Sequence, residues 1–149
     1  FPYTTLFRSQ LAEMRTRKRK LVDPLQYEMS IQAQDLAGYV PAFGWECSPP
    51  TDKQKAKLEK LGIFPDEIQS AGKAKLILDR LEKRRIEGLT TPKQIRMLES
   101  RGFQHVGKWQ FDEASALISR IAANGWRTPK NINPKTYVPQ SEVNTVGLT

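Results

Sequence analysis

Apolar residues recur along two stretches of the chain with the spacing of one helical face. In each stretch they fall at positions i, i+3, i+4 and i+7, the period of an amphipathic helix. These apolar positions are Ala74, Ile77, Leu78, Leu81, Ala114, Leu117, Ile118 and Ile121. The pattern predicts two helices, beginning near Ser70 and near Gln110, that each bury one face.

The two stretches belong to an internal repeat with an offset of 40 residues. Thr51-Asp-Lys-Gln54 recurs as Thr91-Pro-Lys-Gln94, and the same offset maps Gly62 on Gly102. The register holds without a gap into the second helix of each copy. Each copy is therefore interpreted as one structural unit.

A capping-box pattern marks the start of the first helix in each copy. The threonine hydroxyl accepts from the backbone N–H three residues later, and the glutamine there reaches back to the cap. In the second copy Pro92 takes the first helical position, where its missing N–H costs nothing. Gly62 and Gly102 predict the helix ends, because glycine tolerates the left-handed conformation that follows a helix.

Each copy thus predicts a helix-turn-helix hairpin, and the chain as a whole predicts an all-α fold of two tandem hairpin repeats. Burial of a large apolar side chain is worth ~1.5–3 kcal/mol, and two short helices offer too few such side chains to fold alone. The hairpins are therefore expected to pack together as one domain over residues 49–127.

The flanking regions have weaker patterns. Residues 10–48 predict a connector with short helices at about 11–21 and 24–36. Tyr39, Phe43 and Trp45 are expected to cover one end of the core, with an exposed aromatic ladder as the alternative. Residues 128–149 contain three prolines and no apolar period, which predicts an irregular tail that is disordered beyond about Tyr137.

The first nine residues, FPYTTLFRS, resemble the translation of a common sequencing adapter. Residues 1–9 are accordingly interpreted as an artefact and excluded from the functional argument. The natural protein is then expected to extend upstream of Gln10.

Composition narrows the function classes. The chain has one cysteine and one histidine, too few for an internal disulfide or a structural zinc site. It has no apolar run of membrane-spanning length, so no membrane partner is expected and a cytoplasmic location is predicted. The net charge is +8, and residues 51–127 carry 16 basic and 10 acidic side chains, which favours a polyanionic partner such as nucleic acid.

Catalytic motifs are absent from the sequence. There is no phosphate-binding glycine loop, no nucleophile elbow and no zinc-protease motif. Asp112-Glu113-Ala114-Ser115 mimics a helicase box but lacks a preceding buried strand, and the helix dipole explains its two acids. His105 is expected on a polar surface, and Cys47 as a small core or interface residue. No enzyme, cofactor, metal or small-molecule substrate is predicted for this chain.

A phosphate-binding surface is predicted on the second helices. Basic side chains beside helix starts suit phosphates but specify no base, and the alternative is an ordinary solvated helix face. The candidate residues are Lys73, Lys75, Arg80, Lys83, Arg84, Arg85, Lys108 and Arg120. The basic run Arg15–Lys20 adds a second cluster, either phosphate-binding or simply solvated.

The second copy alone carries the large aromatic residues Trp109, Phe111 and Trp126. A terminal repeat has no further neighbour to cover it, so these aromatics are expected to close the core. The alternative is a protein-interaction surface that docks another domain or a partner protein.

Residues 32–139 resemble the C-terminal region of DEAD/DEAH-box, superfamily 2 helicases of phages and prophages. The stretches that carry the resemblance are Gly62-Ile-Phe-Pro-Asp66, Gly88-Leu-Thr-Thr-Pro-Lys-Gln94, Gly102-Phe-Gln-His-Val-Gly107 and Ile121-Ala-Ala-Asn-Gly-Trp126. Ser70–Leu81 is also similar to the second helix of SAP-type DNA-binding hairpins, although Asp112 and Glu113 depart from that pattern in the second copy.

The helicase resemblance implies an ATP-driven parent protein in a bacterial host or phage-infected cell. None of that family's nucleotide-binding motifs matches a position here, so ATP and magnesium are expected only in an upstream motor domain. The function predicted for this chain is a non-catalytic accessory module that contacts DNA, single- or double-stranded, through basic helix faces.

Overall fold

The computed structural model describes residues 2–139, with side chains from Gln10 onward except that of Lys18. Within this range the chain is all-α and contains no β strand, which confirms the predicted fold class. The α helices are α1 (Pro2–Lys20), α2 (Pro24–Ser30), α3 (Gln34–Ala37), α4 (Gly44–Cys47), α5 (Asp52–Lys60), α6 (Ala71–Ile86), α7 (Pro92–Ser100) and α8 (Phe111–Ala123). A 3₁₀ helix, Val106–Lys108, precedes α8.

The hairpin repeat is present as α5–α6 and α7–α8. Thr51 and Thr91 cap the first helices, and both capping boxes are complete. Gly62 and Gly102 follow those helices with φ of +95° and +93°, the left-handed conformation that the sequence predicts. The extended loops that follow lead into α6 and α8, whose N-caps are Ser70 and Gln110.

The predicted apolar faces of α6 and α8 form the centre of the core. Most of their members are at most 7% exposed, while Leu78 and Ile118 are partly buried against the same cluster. The first helices contribute Leu58 and Leu98, both fully buried. Both hairpins therefore share one hydrophobic core.

The N-terminal segment enters this core and is more than a connector. Val22 and Tyr27 are 2% and 1% exposed, and both belong to the core cluster. Helix α2 contacts α7, while α3 contacts α6, so the segment spans both hairpins. The core consequently begins upstream of the predicted boundary at residue 49, because α2 and α3 cover helix faces that the hairpins leave open.

Two local predictions upstream of the hairpins are wrong. The helix predicted over residues 24–36 is divided into α2 and α3, because Gln32 adopts a left-handed φ of 56°. Phe43 and Trp45 do not cover the core, since they are 67% and 55% exposed. Instead Tyr39 donates a hydrogen bond to Glu46 of α4, and α4 packs on α6.

Helix α1 begins at Pro2 and therefore includes most of the adapter-like segment, whose side chains are not described. Nearly all of the tail predicted to be disordered, beyond about Tyr137, lies outside the described residues. No helix in residues 2–139 has the length and apolar character to cross a membrane.

Candidate nucleic-acid interface

Helix α6 carries most of the predicted phosphate ligands, and two of them are used to attach the N-terminal segment. The Lys73 ammonium lies 2.8 Å from the buried Glu28 carboxylate and also donates to the Leu36 carbonyl oxygen. Arg80 pairs with Asp35, which lies 45 residues earlier in the chain. These two cations hold α2 and α3 against α6, so they are not available as unpaired phosphate ligands.

Two further cations on α6 pair with acids of the same helix. The Lys75 ammonium lies 2.9 Å from Asp79, and the Arg85 guanidinium lies 2.7 Å from Glu82. The hydrogen bond from Arg85 lowers the pKa of the Glu82 carboxyl below its usual range. Both pairs are exposed, and each one cancels most of the local positive field.

Arg84 is buried rather than presented to solvent, which corrects its assignment to the phosphate surface. It lies three residues after Leu81 on the apolar face of α6, and only 7% of the residue is exposed. Its guanidinium donates to the Thr90 Oγ1 at 3.1 Å and to the Gly107 carbonyl oxygen at 2.8 Å. Burial lowers the pKa of Arg84 from its ordinary value.

The other three predicted ligands, Lys83, Lys108 and Arg120, are exposed. None of them makes an ion pair or hydrogen bond through its side chain with a residue that the structure describes. They belong to three different elements, α6, the 3₁₀ helix and α8. The structure therefore leaves them as separate exposed charges.

In the basic run at the end of α1, Arg17 has a structural role. Its guanidinium pairs with Glu59 and with Asp66, 3.1 Å away, and lies 5.5 Å from the centre of the Phe64 ring. Burial opposes the charge on Arg17, but the bonds to Asp66 and Glu59 raise its pKa. Arg17 thus docks α1 on the first hairpin.

Helix α5 carries a row of lysines that was not among the predicted ligands. Lys53, Lys57 and Lys60 occur at i, i+4 and i+7, so they lie along one face of the helix, and all three are exposed. Near the end of this row, the Lys93 side chain passes 3.2 Å from the point where a Cβ on Gly62 would lie. We call Lys53, Lys57, Lys60 and Lys93 the basic strip.

The basic strip differs from α6 because its charges are not paired. Within the described part of the chain, none of the four side chains makes an ion pair or a hydrogen bond. Lys57 is near enough to Glu82 to help lower the pKa of that carboxyl, after the larger effect of Arg85. Lys53 and Lys93 occupy equivalent positions in the two hairpins. The i, i+4, i+7 spacing in the sequence could have identified most of this strip.

A cleft of about 390 Å³ opens between the two hairpins beside the strip. We call it the inter-hairpin cleft. Its walls include Leu61 after α5, Leu81 on α6 and Pro92 and Phe111 at the starts of α7 and α8. Leu61 directly follows Lys60 and Pro92 directly precedes Lys93, so one end of the strip lies next to the cleft.

Two buried polar side chains, Tyr27 and Arg84, line this cleft and lie against each other. Tyr27 is 1% exposed and its Oη makes no hydrogen bond, and the Arg84 Nε is likewise unpaired. Burial raises the pKa of the Tyr27 hydroxyl above its usual value, although the neighbouring Arg84 guanidinium acts in the opposite direction. An unsatisfied buried donor costs ~1–3 kcal/mol, so the Tyr27 hydroxyl proton favours an added acceptor.

The three aromatic residues of the second copy have different environments. Trp109 closes the core as expected, with edge-to-face contacts to Phe103 and Tyr137 at centroid distances of 5.9 and 5.5 Å. Phe111 and Trp126, by contrast, are 44% and 56% exposed. The expectation that all three close the core is therefore wrong for these two, and the interaction surface cannot include Trp109 as an exposed member.

The other candidate residues are His105, Cys47, Asp112 and Glu113, and they form no metal-binding cluster among the described residues. His105 is exposed as expected, and Cys47 is an exposed free thiol rather than a core residue. Asp112 and Glu113 occupy the first turn of α8, after a 3₁₀ helix rather than a strand. No cluster of histidine, cysteine or carboxylate side chains suited to a metal ion occurs in the described part of the chain.

Comparison of the chain with family models, with curated proteins and with solved structures finds no match. The helicase resemblance of residues 32–139 therefore has no support from these comparisons and is not contradicted by them.

Proposed function

We propose that this chain is a non-catalytic nucleic-acid-binding module that contacts phosphates through the basic strip. The observation that carries the proposal is the row of four exposed lysines that form no ion pair with any described residue, set in a chain of net charge +8. Neutralisation of phosphates by such a row releases counterions, which is the main source of sequence-independent affinity.

The proposed phosphate-contact surface lies on α5 rather than on α6. On α6 the positive charges other than that of Lys83 are offset by Glu28, Asp35, Asp79 and Glu82, or are buried as at Arg84. An incoming phosphate would have to displace those carboxylates. On the basic strip it would have to displace only water and mobile counterions.

The place of the module in a larger protein is part of the proposal. The resemblance of residues 32–139 supports a position at the C-terminus of an ATP-dependent DEAD/DEAH-box helicase, where the module would help to hold the nucleic acid. The alternative, a docking surface for the motor or a replication partner, would rely on Phe111 and Trp126 because Trp109 is buried.

The test compares two variants of equal net charge in a salt series. The first replaces Lys53, Lys57, Lys60 and Lys93 with Gln, and the matched control replaces Lys75, Lys83, Lys108 and Arg120 with Gln. Affinity for single-stranded DNA is measured by fluorescence anisotropy. With four phosphate contacts, the plot of log K against log salt should have a slope of roughly −3.

We expect the strip variant to lose most of this salt dependence and the control to retain it. Equal losses in both variants would show that binding follows net charge and needs no strip. Absence of binding by the unaltered chain at low salt would end the proposal.

A further inference from the structure

We propose that the inter-hairpin cleft receives one unstacked nucleobase of a single strand whose phosphates lie on the basic strip. This inference rests on the proposed function and adds a ligand class to it. The strip ends at the mouth of the cleft, because Lys60 and Lys93 are the sequence neighbours of the lining residues Leu61 and Pro92. A strand bound along the lysines therefore brings its bases to this opening.

The size and the walls of the cleft suit a base. Its volume of about 390 Å³ falls within the range of ligand pockets, ~300–1,000 Å³. Leu61, Leu81, Leu89 and Pro92 give it mainly apolar walls. A base presents a flat apolar face to such walls, while its sugar and phosphate remain outside in water.

Phe111 supplies a stacking surface in this cleft. Phe111 lines the cleft and 44% of the residue is exposed, so part of it is open to a ligand. Stacking of a base on an aromatic side chain is sequence-tolerant because every base has a π face.

The polar groups of the cleft favour a base over a phosphate. The Tyr27 hydroxyl lies against the Arg84 guanidinium, and its own proton has no acceptor among the described residues, so a carbonyl oxygen of a base can accept from it. Asp112 also lines the cleft, and its carboxylate would repel a phosphate but can accept from the N–H groups of a base. This donor and this acceptor together match the mixed edge of a base.

The experiment compares a short oligothymidylate with an abasic strand of the same number of phosphates. Thymine has carbonyl oxygens that can accept from Tyr27 and a ring N–H that can donate to Asp112. Binding is measured by fluorescence anisotropy for the full chain and for the variants Phe111→Ala and Tyr27→Phe. Trp126→Ala is the matched control, because Trp126 is a comparably exposed aromatic that does not line the cleft.

We expect the chain to bind oligothymidylate about tenfold or more tightly than the abasic strand. Phe111→Ala and Tyr27→Phe should reduce this ratio toward one and leave the salt dependence unchanged, whereas Trp126→Ala should keep the ratio. Urea unfolding of Tyr27→Phe provides the folding control, because the substitution keeps the buried ring and removes only a hydroxyl whose proton has no acceptor among the described residues.

Equal affinity for the two strands would overturn the base-binding cleft and leave phosphate binding by the strip intact. Loss of the ratio in Trp126→Ala to the same extent as in Phe111→Ala would also overturn it. Failure to bind either strand would refute the strip and the cleft together.

Discussion

The Arg84 guanidinium donates a hydrogen bond to the carbonyl oxygen of Gly107 at 2.8 Å. This bond joins the second helix of one hairpin to the loop of the other. Thr90 extends the connection, since it accepts from Arg84 and donates through its own hydroxyl to the Val106 carbonyl oxygen at 2.9 Å. A residue that the sequence suggested for phosphate binding is therefore part of the inter-hairpin contact.

Replacement of Arg84 by Met should destabilise the protein by roughly 3 kcal/mol. A hydrogen bond to a charged group contributes ~1.5–3 kcal/mol, and the substitution also leaves buried carbonyl oxygens unpaired. The free energy of unfolding in urea is the measurement. Arg120→Met is the control, expected to lie within about 0.5 kcal/mol of the unaltered chain because Arg120 is exposed and unpaired. Equal stability of the two variants would contradict the assigned role.

Gln54 and Gln94, the glutamines of the two capping boxes, should contribute more to stability than a residue that only caps a helix. Gln94 Nε2 donates to the Phe111 carbonyl oxygen at 3.3 Å, and Gln54 makes the equivalent bond to Ala71 at 3.1 Å. Each glutamine thus caps one helix and joins it to the next, so Gln94→Ala is expected to cost ~1–2 kcal/mol of unfolding free energy.

Chemical denaturation of Gln94→Ala and Gln54→Ala tests this point. Gln104→Ala is the control, since Gln104 is exposed and bonds only locally to the Gly102 carbonyl oxygen. If Gln104→Ala lost as much unfolding free energy as Gln94→Ala, the inter-helix bond of Gln94 would add no more stability than a local bond.

Alanine at the glycines that end the first helices should be unfavourable. Gly102 has a φ of +93°, and a left-handed conformation costs a non-glycine residue ~1–2 kcal/mol. Gly62→Ala should cost at least as much, because its Cβ would also approach the Lys93 side chain.

Thermal unfolding of both glycine variants can be compared with that of Gly44→Ala. Gly44 has open space around its Cβ position and lies in α4, so alanine there should be neutral or slightly stabilising. A destabilised Gly44→Ala with unchanged Gly62 and Gly102 variants would contradict the assigned helix ends.

Trp109 and Trp126 should differ clearly in how much each contributes to the free energy of unfolding. Trp109→Ala is expected to cost ~3–5 kcal/mol, because it removes a buried ring from an aromatic cluster. Trp126→Ala should change the unfolding free energy by no more than about 0.5 kcal/mol. Thermal unfolding of both variants, followed by near-ultraviolet circular dichroism, is the measurement. Similar costs for the two variants would show that Trp126 also belongs to the core.

Much of the fold could be predicted because its signals are local. The capping boxes, the glycine helix ends and the apolar faces each depend on residues within one or two turns of each other. The contribution of α2 to the core was missed because a seven-residue helix has too short an apolar pattern to show its buried face.

The candidate site could be predicted less well, because the availability of a charge depends on distant neighbours. Arg80 has its partner at Asp35, and Arg17 has partners at Glu59 and Asp66. Only folding brings these groups together, so a basic residue in the sequence did not indicate an available cation. The lysine row on α5 was readable from its spacing, but its lack of partners was not.

The sequence by itself determined the duplicated hairpin, its helix ends and its buried faces, since these follow from backbone capping and helical periodicity. Tertiary structure alone decided that Arg84 is buried, that Lys73 and Arg80 hold the N-terminal segment, and that a cleft adjoins the basic strip. The physical reason is that ion pairing and cavity shape depend on distances between side chains far apart in the chain, which no local pattern specifies.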